Sequence, residues 1–258
     1  MIILKSPREI ESMRKAGQVV GKILQELKSR VEPGISTGQI NQWAEELIKQ
    51  FKAKPAFKGY KGFPYSICTS LNEEVVHGIP SEKRILKEGD LLSLDFGVIV
   101  EGYYGDSALS LVVGKETPLQ KKLIQVTEKS LWKGIEQMKV KNHLHDVSQA
   151  VQRTVEAEGF SVVRDFVGHG IGQKLHEEPP LPNYGESGTG PLLKAGMVLA
   201  IEPMVNEGKP EVRILDDGWT AVTQDGKLSC HFEHTVAILS DGPEILTDIK
   251  GTSPKGEK

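Results

Sequence analysis

The sequence predicts an α+β fold of one domain built from two similar halves. Three observations carry this. Apolar residues recur at helical spacing in two pairs of segments, and each pair is followed by short apolar stretches punctuated by glycine. The 258-residue length allows one large domain or two small halves, with a core that needs no staples. Shifting the chain by 107 residues lays Ile40, Trp43, Ala44, Leu47 and Ile48 on Val147, Ala150, Val151, Thr154 and Val155. The same shift lays Lys87, Gly89, Leu91, Leu92, Leu94 and Asp95 on Lys194, Gly196, Val198, Leu199, Ile201 and Glu202. Helix amphipathicity alone mimics the first match, but it does not mimic the Lys-x-Gly and carboxylate matches. His77-Gly78-Ile79-Pro80 and His169-Gly170-Ile171-Gly172 correspond at a shorter offset, which places extra loop between Leu175 and Leu192. The halves are about 1–115 and 116–250.

The elements follow in order. Ser6 caps a first helix, with Pro7 in its first turn and Glu9 at the capping-box position. Ile10, Met13, Gly17, Val20, Leu24 and Leu27 form its apolar face. Pro33-Gly34 turns the chain, and a second helix starts near Ser36. Gly59 to Arg84 reads as loops and short strands. Leu91 to Val100 reads as a buried strand, returned by Glu101-Gly102-Tyr103-Tyr104-Gly105 into a strand through Val113, with Asp106 at its start. Thr117-Pro118 starts a third helix running through Trp132 to about Met138, and a fourth spans about 145–158. Gly-rich strands and loops follow. The polar end, Thr252 to Lys258, is expected to fray.

Composition removes several classes of function. With 32 basic and 35 acidic residues the net charge is −3, and no charge block marks a nucleic-acid footprint. No stretch approaches the roughly 20 apolar residues of a membrane span, and Met1-Ile2-Ile3-Leu4 is too short for a signal-peptide core. Two distant cysteines, Cys68 and Cys230, form no disulfide framework and no thiolate zinc site. Two free thiols in a reducing cytosol are the simplest reading.

Four acidic residues interrupt or adjoin apolar strands: Asp95, Asp106, Glu202 and Glu233. A buried ionised carboxylate costs several kcal/mol unless it is paired or binds a metal. One such residue is ordinarily a structural ion pair. Four, with two related by the repeat and few basic residues nearby, point to a metal centre. His169, among glycines in Gly168-His169-Gly170-Ile171-Gly172, supplies a nitrogen ligand to this oxygen-rich set. Four carboxylates balance two divalent ions, and their hardness suits Mn, Fe, Co or Zn. His77 and His176 sit in loop-like contexts where catalytic groups concentrate. His234 should face the other side of the sheet from Glu233. Asp216-Asp217-Gly218-Trp219 reads as a turn whose acidic pair is solvated.

Asp95, Asp106, His169 in Gly-His-Gly-Ile-Gly, Glu202 in Ile-Glu-Pro and Glu233 in Phe-Glu-His-Thr together resemble the five-ligand pattern of the methionine aminopeptidases. His77-Gly-Ile-Pro and His176-Glu-Glu-Pro resemble that family's two active-site histidine motifs. The resemblance covers about residues 3–248. No long helical insertion fits between His176 and Glu202, so the likeness is to the short bacterial type I form.

The resemblance implies the pita-bread fold, with helices packed on a central curved, mainly antiparallel sheet, as a single catalytic domain over 1–258. It implies two divalent ions held by Asp95, Asp106, His169, Glu202 and Glu233. Asp95 would chelate one ion, His169 and Glu202 would bind the other, and Asp106 and Glu233 would bridge. It implies Glu202, His176 and His77 as catalytic residues, and substrate contacts from His77, His176, Tyr60, Phe63, Cys68 and Trp219. Phe57 departs from the family, where several bacterial members have cysteine. The loop Ser70-Leu71-Asn72-Glu73-Glu74 is similar to a segment that binds a monovalent cation in some members. The implied activity is removal of N-terminal methionine from peptides and nascent chains at the ribosome, preferring a small second residue, by a cytoplasmic monomer with no membrane or nucleic-acid partner. An Xaa-Pro dipeptidase or a non-catalytic peptide-binding member of the same fold is the rival. The retained ligands count against loss of catalysis. The missing N-terminal domain and the Cys68/Trp219 pocket count against the dipeptidase.

Overall fold

A computed structural model describes residues 1–248. The expected fraying of Thr252 to Lys258 lies outside the described residues. The first half runs α1 (Pro7–Arg30), α2 (Thr37–Gln50), β1 (Lys54–Pro55), β2 (Ile67–Leu71), β3 (Glu74–Val76), β4 (Leu91–Val100) and β5 (Tyr103–Val112). The second runs α3 (Pro118–Ile135), α4 (Leu144–Glu156), β6 (Ser161–Val162), β7 (Gly168–Gly170), β8 (Glu177–Leu181), β9 (Val198–Ile201), β10 (Met204–Asn206), β11 (Val212–Ile214), β12 (Ala221–Thr223), β13 (Ser229–His231), β14 (Glu233–Leu239) and β15 (Gly242–Ile245).

Local chemistry sets the helix starts. Ser6 Oγ accepts from the Glu9 N–H while the Glu9 carboxylate accepts from the Ser6 N–H, a closed capping box. Thr117 and Gln120 repeat the device on α3, and Ser36 caps α2. The third helix stops at Ile135 rather than about Met138, because Gln137 and Met138 turn back onto the Gly134 and Ile135 carbonyls. The fourth starts at Leu144 and ends at Glu156, a residue or two before the expected bounds. Asp106 is the fourth residue of β5 and not its first, since the hairpin turn is tight and pairing begins at Val100–Tyr103.

The main sheet is antiparallel in every recorded pair, ordered β1-β4-β5-β14-β9-β7-β8, with β2 beside β4 and β15 beside β14. Alternation along the strands turns one face of the sheet to the helices and sends the acidic residues to the other. Leu92, Leu94, Phe96 and Val98 of β4 join Val20, Leu24, Ile40 and Leu47 of α1 and α2 in one core. Leu199 and Ile201 of β9 and Val236 and Ile238 of β14 join Leu123, Leu131, Val147 and Val151 of α3 and α4 in another. The residues between them, Asp95, Ala200 and Glu233 among them, face the opposite way. The helix α1 crosses β5 at a contact between Gly17 and Gly105. A Cβ on Gly105 would lie 2.8 Å from the Gly17 nitrogen, and one on Gly17 would lie 2.4 Å from the Leu246 carbonyl oxygen.

Candidate active site

Strand register assembles the acidic cluster. Ala108 pairs with Asp95 on one side and Glu233 on the other, and Gly97 pairs with Asp106. Asp95, Asp106 and Glu233 are therefore near neighbours on the same face of the sheet. Ala200 of β9 pairs with His169 of β7 and Thr235 of β14, which brings the second half to the same place. Glu202 follows the last residue of β9, and Pro203, which lacks a backbone donor, follows it. Ligand atoms of Asp106, His169 and Glu233 lie within 4.8 Å of one another. Glu202 Oε1 lies 3.5 Å from His169 Nε2.

The electrostatics of this cluster are unbalanced. Asp106 and Glu233 are buried, and no Lys or Arg pairs with any of the four carboxylates among the described residues. Asp95 Oδ1, Asp106 Oδ1 and Glu233 Oε1 are buried without a hydrogen-bond partner. Burial pushes Asp106 up to about 7. Burial, then the neighbouring carboxylates, holds Asp95, Glu202 and Glu233 well above the usual carboxylate range. Burial also depresses His169 to about 3, so its imidazole is neutral. Its Nδ1 faces the Gly170 carbonyl at 2.9 Å, which leaves the Nε2 lone pair toward the carboxylates. Orphaned hard oxygens around one oriented imidazole fit a divalent cation of the Mn, Fe, Co or Zn group.

A cavity of about 190 Å³ opens over the cluster, and every residue expected at the site lines it. Phe63 packs edge-on against Trp219 with ring centroids 5.1 Å apart, and Cys68 adjoins them at the floor, opposite Asp95 in register. Burial and the charges of Asp95, Asp106 and Glu233 push the Cys68 thiol well up, so it is a neutral lining group. Cys68 and Cys230 are both free and buried. His77 holds a left-handed φ of +61° between Phe166 and Trp219, a strained backbone for a non-glycine residue. Its neighbour Gly78 leaves no room for a Cβ, which would fall 2.3 Å from the Thr69 carbonyl oxygen. Burial lowers His77 to about 4.

His176 Nδ1 is 2.7 Å from the Tyr60 hydroxyl, and its ring lies 4.2 Å from that of His169. Burial lowers it to about 4. The next residue, Glu177, pairs with Lys5 Nζ at 2.6 Å and accepts from the Lys174 N–H.

The acidic turn before Trp219 is more than a solvated loop. The Asp217 carboxylate accepts from the Trp219 and Thr220 N–H groups and the Thr220 hydroxyl, so it sets the indole's position. In the loop 70–74, the Glu74 carboxylate accepts from the Leu71 N–H and pairs with Arg84, while the Asn72 carbonyl accepts from Ser229. His234 does stand on the helix side, with its Nδ1 2.8 Å from Thr247 Oγ1 and its ring against Trp132.

Sequence reasoning missed two residues. His231 is buried with its Nε2 3.9 Å from Glu202 Oε2, and neither ring nitrogen has a hydrogen-bond partner. Its position two residues before Glu233 was an available signal. Among the described residues Lys61 is the one lysine or arginine that lines the cavity. No periodicity marks it, since it lies in a turn.

Residues 11–240 match metallopeptidase family M24, which puts a metal-dependent peptidase behind this geometry. The sequence is 56% identical to methionine aminopeptidase of Clostridium perfringens over 97% of this chain and 100% of that protein. It is 54% identical to methionine aminopeptidase 1 of Bacillus subtilis over 96% and 100%. A methionine aminopeptidase structure from Thermotoga maritima superposes with a TM-score of 0.95 at 48% identity, covering 96% of this chain and 100% of that one. The chain belongs to the methionine aminopeptidases of the M24 family, in their bacterial type I form, and has their pita-bread fold. Prolidase from Pyrococcus furiosus, at a TM-score of 0.77 and 24% identity, shares the fold over 96% of this chain and 66% of its own.

Proposed function

We propose that this protein removes the N-terminal methionine from peptides and nascent chains in the cytoplasm, preferring a small second residue. The observation that carries the reading is one cavity whose apolar part, with Phe63, Cys68 and Trp219, adjoins a set of unneutralised carboxylates. The apolar part suits a thioether side chain. The carboxylates suit the free amino group and two divalent ions. Asp95 would chelate one ion, His169 and Glu202 would hold the other, and Asp106 and Glu233 would bridge them. Bound ions supply the charge that lowers the pKa of a water toward about 7 and polarises the scissile carbonyl.

The chain's own groups do the rest. Glu202 takes the proton of the attacking water and returns it to the leaving amine. Tyr60 Oη lies 2.7 Å from His176 Nδ1, and in the tautomer this mechanism uses the hydroxyl donates and Nδ1 accepts. The imidazole proton then sits on Nε2, where it donates to the developing oxyanion. His77, held neutral by its burial, hydrogen-bonds the scissile amide. Residues 1–258 act as one catalytic domain with its site between the two halves. A monovalent cation at the loop 70–74 and a monomeric state complete the reading.

The test is a screen of Met-Ala-Ser, Leu-Ala-Ser and Xaa-Pro peptides with Mn, Fe, Co and Zn added singly to metal-stripped enzyme. Release of methionine alone is expected. Cleavage of Xaa-Pro peptides without methionine release would overturn the reading.

A further inference from the structure

The catalytic cavity is polarised. Its inner part carries Asp95, Asp106, Glu202 and Glu233, and Lys61, the one lysine or arginine lining it among the described residues, is exposed at the rim. No carboxylate pairs with Lys61 among the described residues. Its ammonium lies 5.5 Å from the centroid of the Tyr60 ring, and the Tyr60 hydroxyl bonds His176. The backbone here is unusual. Lys61 has a φ of +48°, between Gly59 at +88° and Gly62 at +90°. A lysine at left-handed φ is strained where a glycine is not. The turn therefore does not ask for lysine, and what the residue adds is its side chain.

A peptide in this cavity presents opposite demands at its two ends. Its ammonium group goes to the carboxylates, and the chain beyond the scissile bond must leave past the rim. An extended strand advances about 3.3 Å per residue. The third residue, two steps or about 7 Å past the carbonyl that His176 serves, thus comes within reach of a flexible lysine stem beside Tyr60. We infer that Lys61 is a specificity-determining residue that favours substrates carrying an acidic group at the third position. This rests on the proposed aminopeptidase activity.

Exposed charge pairs are weak and screened by salt, so the effect is a bias of about two- to fivefold. The test compares kcat/KM on three amidated peptides, Met-Ala-Asp-Ala, Met-Ala-Asn-Ala and Met-Ala-Lys-Ala. Ratios within one enzyme cancel differences in protein amount and metal loading. Wild type should prefer Asp over Asn about two- to fivefold at low salt, and the preference should vanish at high salt. Lys61→Met should bring the ratio to about one, and Lys61→Glu should invert it toward the Lys peptide. Cleavage of all three peptides at ratios that ignore residue 61 overturns this inference and leaves the aminopeptidase reading standing. No cleavage of any of them by wild type overturns both.

Discussion

Lys5 and Glu177 form an ion pair 2.6 Å long with side chains only 4% and 5% exposed, joining the N-terminal segment to the residue beside His176. The segment is also pinned by the Lys5 N–H donating to Gly196 O. Gly172 completes the arrangement, since a Cβ there would lie 2.6 Å from Lys5 Cε and 2.7 Å from Glu177 Oε1. A buried pair stripped of one partner leaves an uncompensated charge, which costs about 3–5 kcal/mol. Lys5→Met should lose stability of that order in denaturant titrations. Lys5→Met with Glu177→Gln should recover part of it. A single variant as stable as wild type would mean the pair is not sealed from water.

Glu202 is the residue on which the repeat and the geometry meet. Glu202→Gln keeps its size and loses its charge and basicity. At saturating metal, kcat on a Met-Ala peptide should fall by about 10²–10⁴. A value within a few-fold of wild type would remove Glu202 from the mechanism.

The rings of His176 and His169 meet at a tilt of 54° with centroids 4.2 Å apart, yet the two residues should behave differently. His176→Ala should lower kcat by about 10²–10³ and leave metal content as in wild type. His169→Ala should lose metal, measured by elemental analysis after dialysis. Equal metal loss in both variants would make His176 a ligand.

The metal-free protein should show a distinctive pH response. Asp106, with its folded pKa raised to about 7, and Asp95, Glu202 and Glu233, also held well above the usual carboxylate range, keep protons that an unfolded chain releases near 4. Their stabilisation is complete below the unfolded value and is lost as pH rises through the folded one. His77, His169, His176, His231 and His234 are lowered to about 3 or 4, so they oppose this trend below about 6.5. Above 6.5 only the carboxylates act. The Tm of chelator-treated protein should therefore fall from pH 6.5 to 8, while the gain on adding Mn or Co grows over the same interval. A metal-free Tm that climbs with pH in that window would contradict the raised carboxylates.

Local chemistry was legible in the sequence. Ser6 with Glu9 and Thr117 with Gln120 set helix starts within three residues of chain, and the structure places them as read. The apolar runs around Asp95 and Glu233 were readable because a buried carboxylate is costly wherever it occurs. What stayed hidden depends on distance along the chain. Lys5 and Glu177 are 172 positions apart and carry no shared pattern. Ala108, which spaces Asp95 from Glu233, is an unremarked alanine until the register is known. Lys61 sits in a turn, where no period separates a lining residue from a solvated one. His231 was passed over although its parity matches that of Glu233.

The strand carrying Glu233 lies in the middle of the sheet, between β5 and β9, although it is nearly the last to be synthesised. The hairpin that bears Asp95 and Asp106 therefore waits, with one long edge open, until residues about 130 positions further on arrive to close it. Non-local pairing of this kind is slow and leaves an edge exposed to other chains meanwhile. A growing polypeptide truncated before residue 233 would lack Glu233, one of the four clustered carboxylates, and the strand that joins β5 to β9. Competence thus arrives in one late step, with insertion of a single central strand, and a partly made chain has no peptidase to release prematurely.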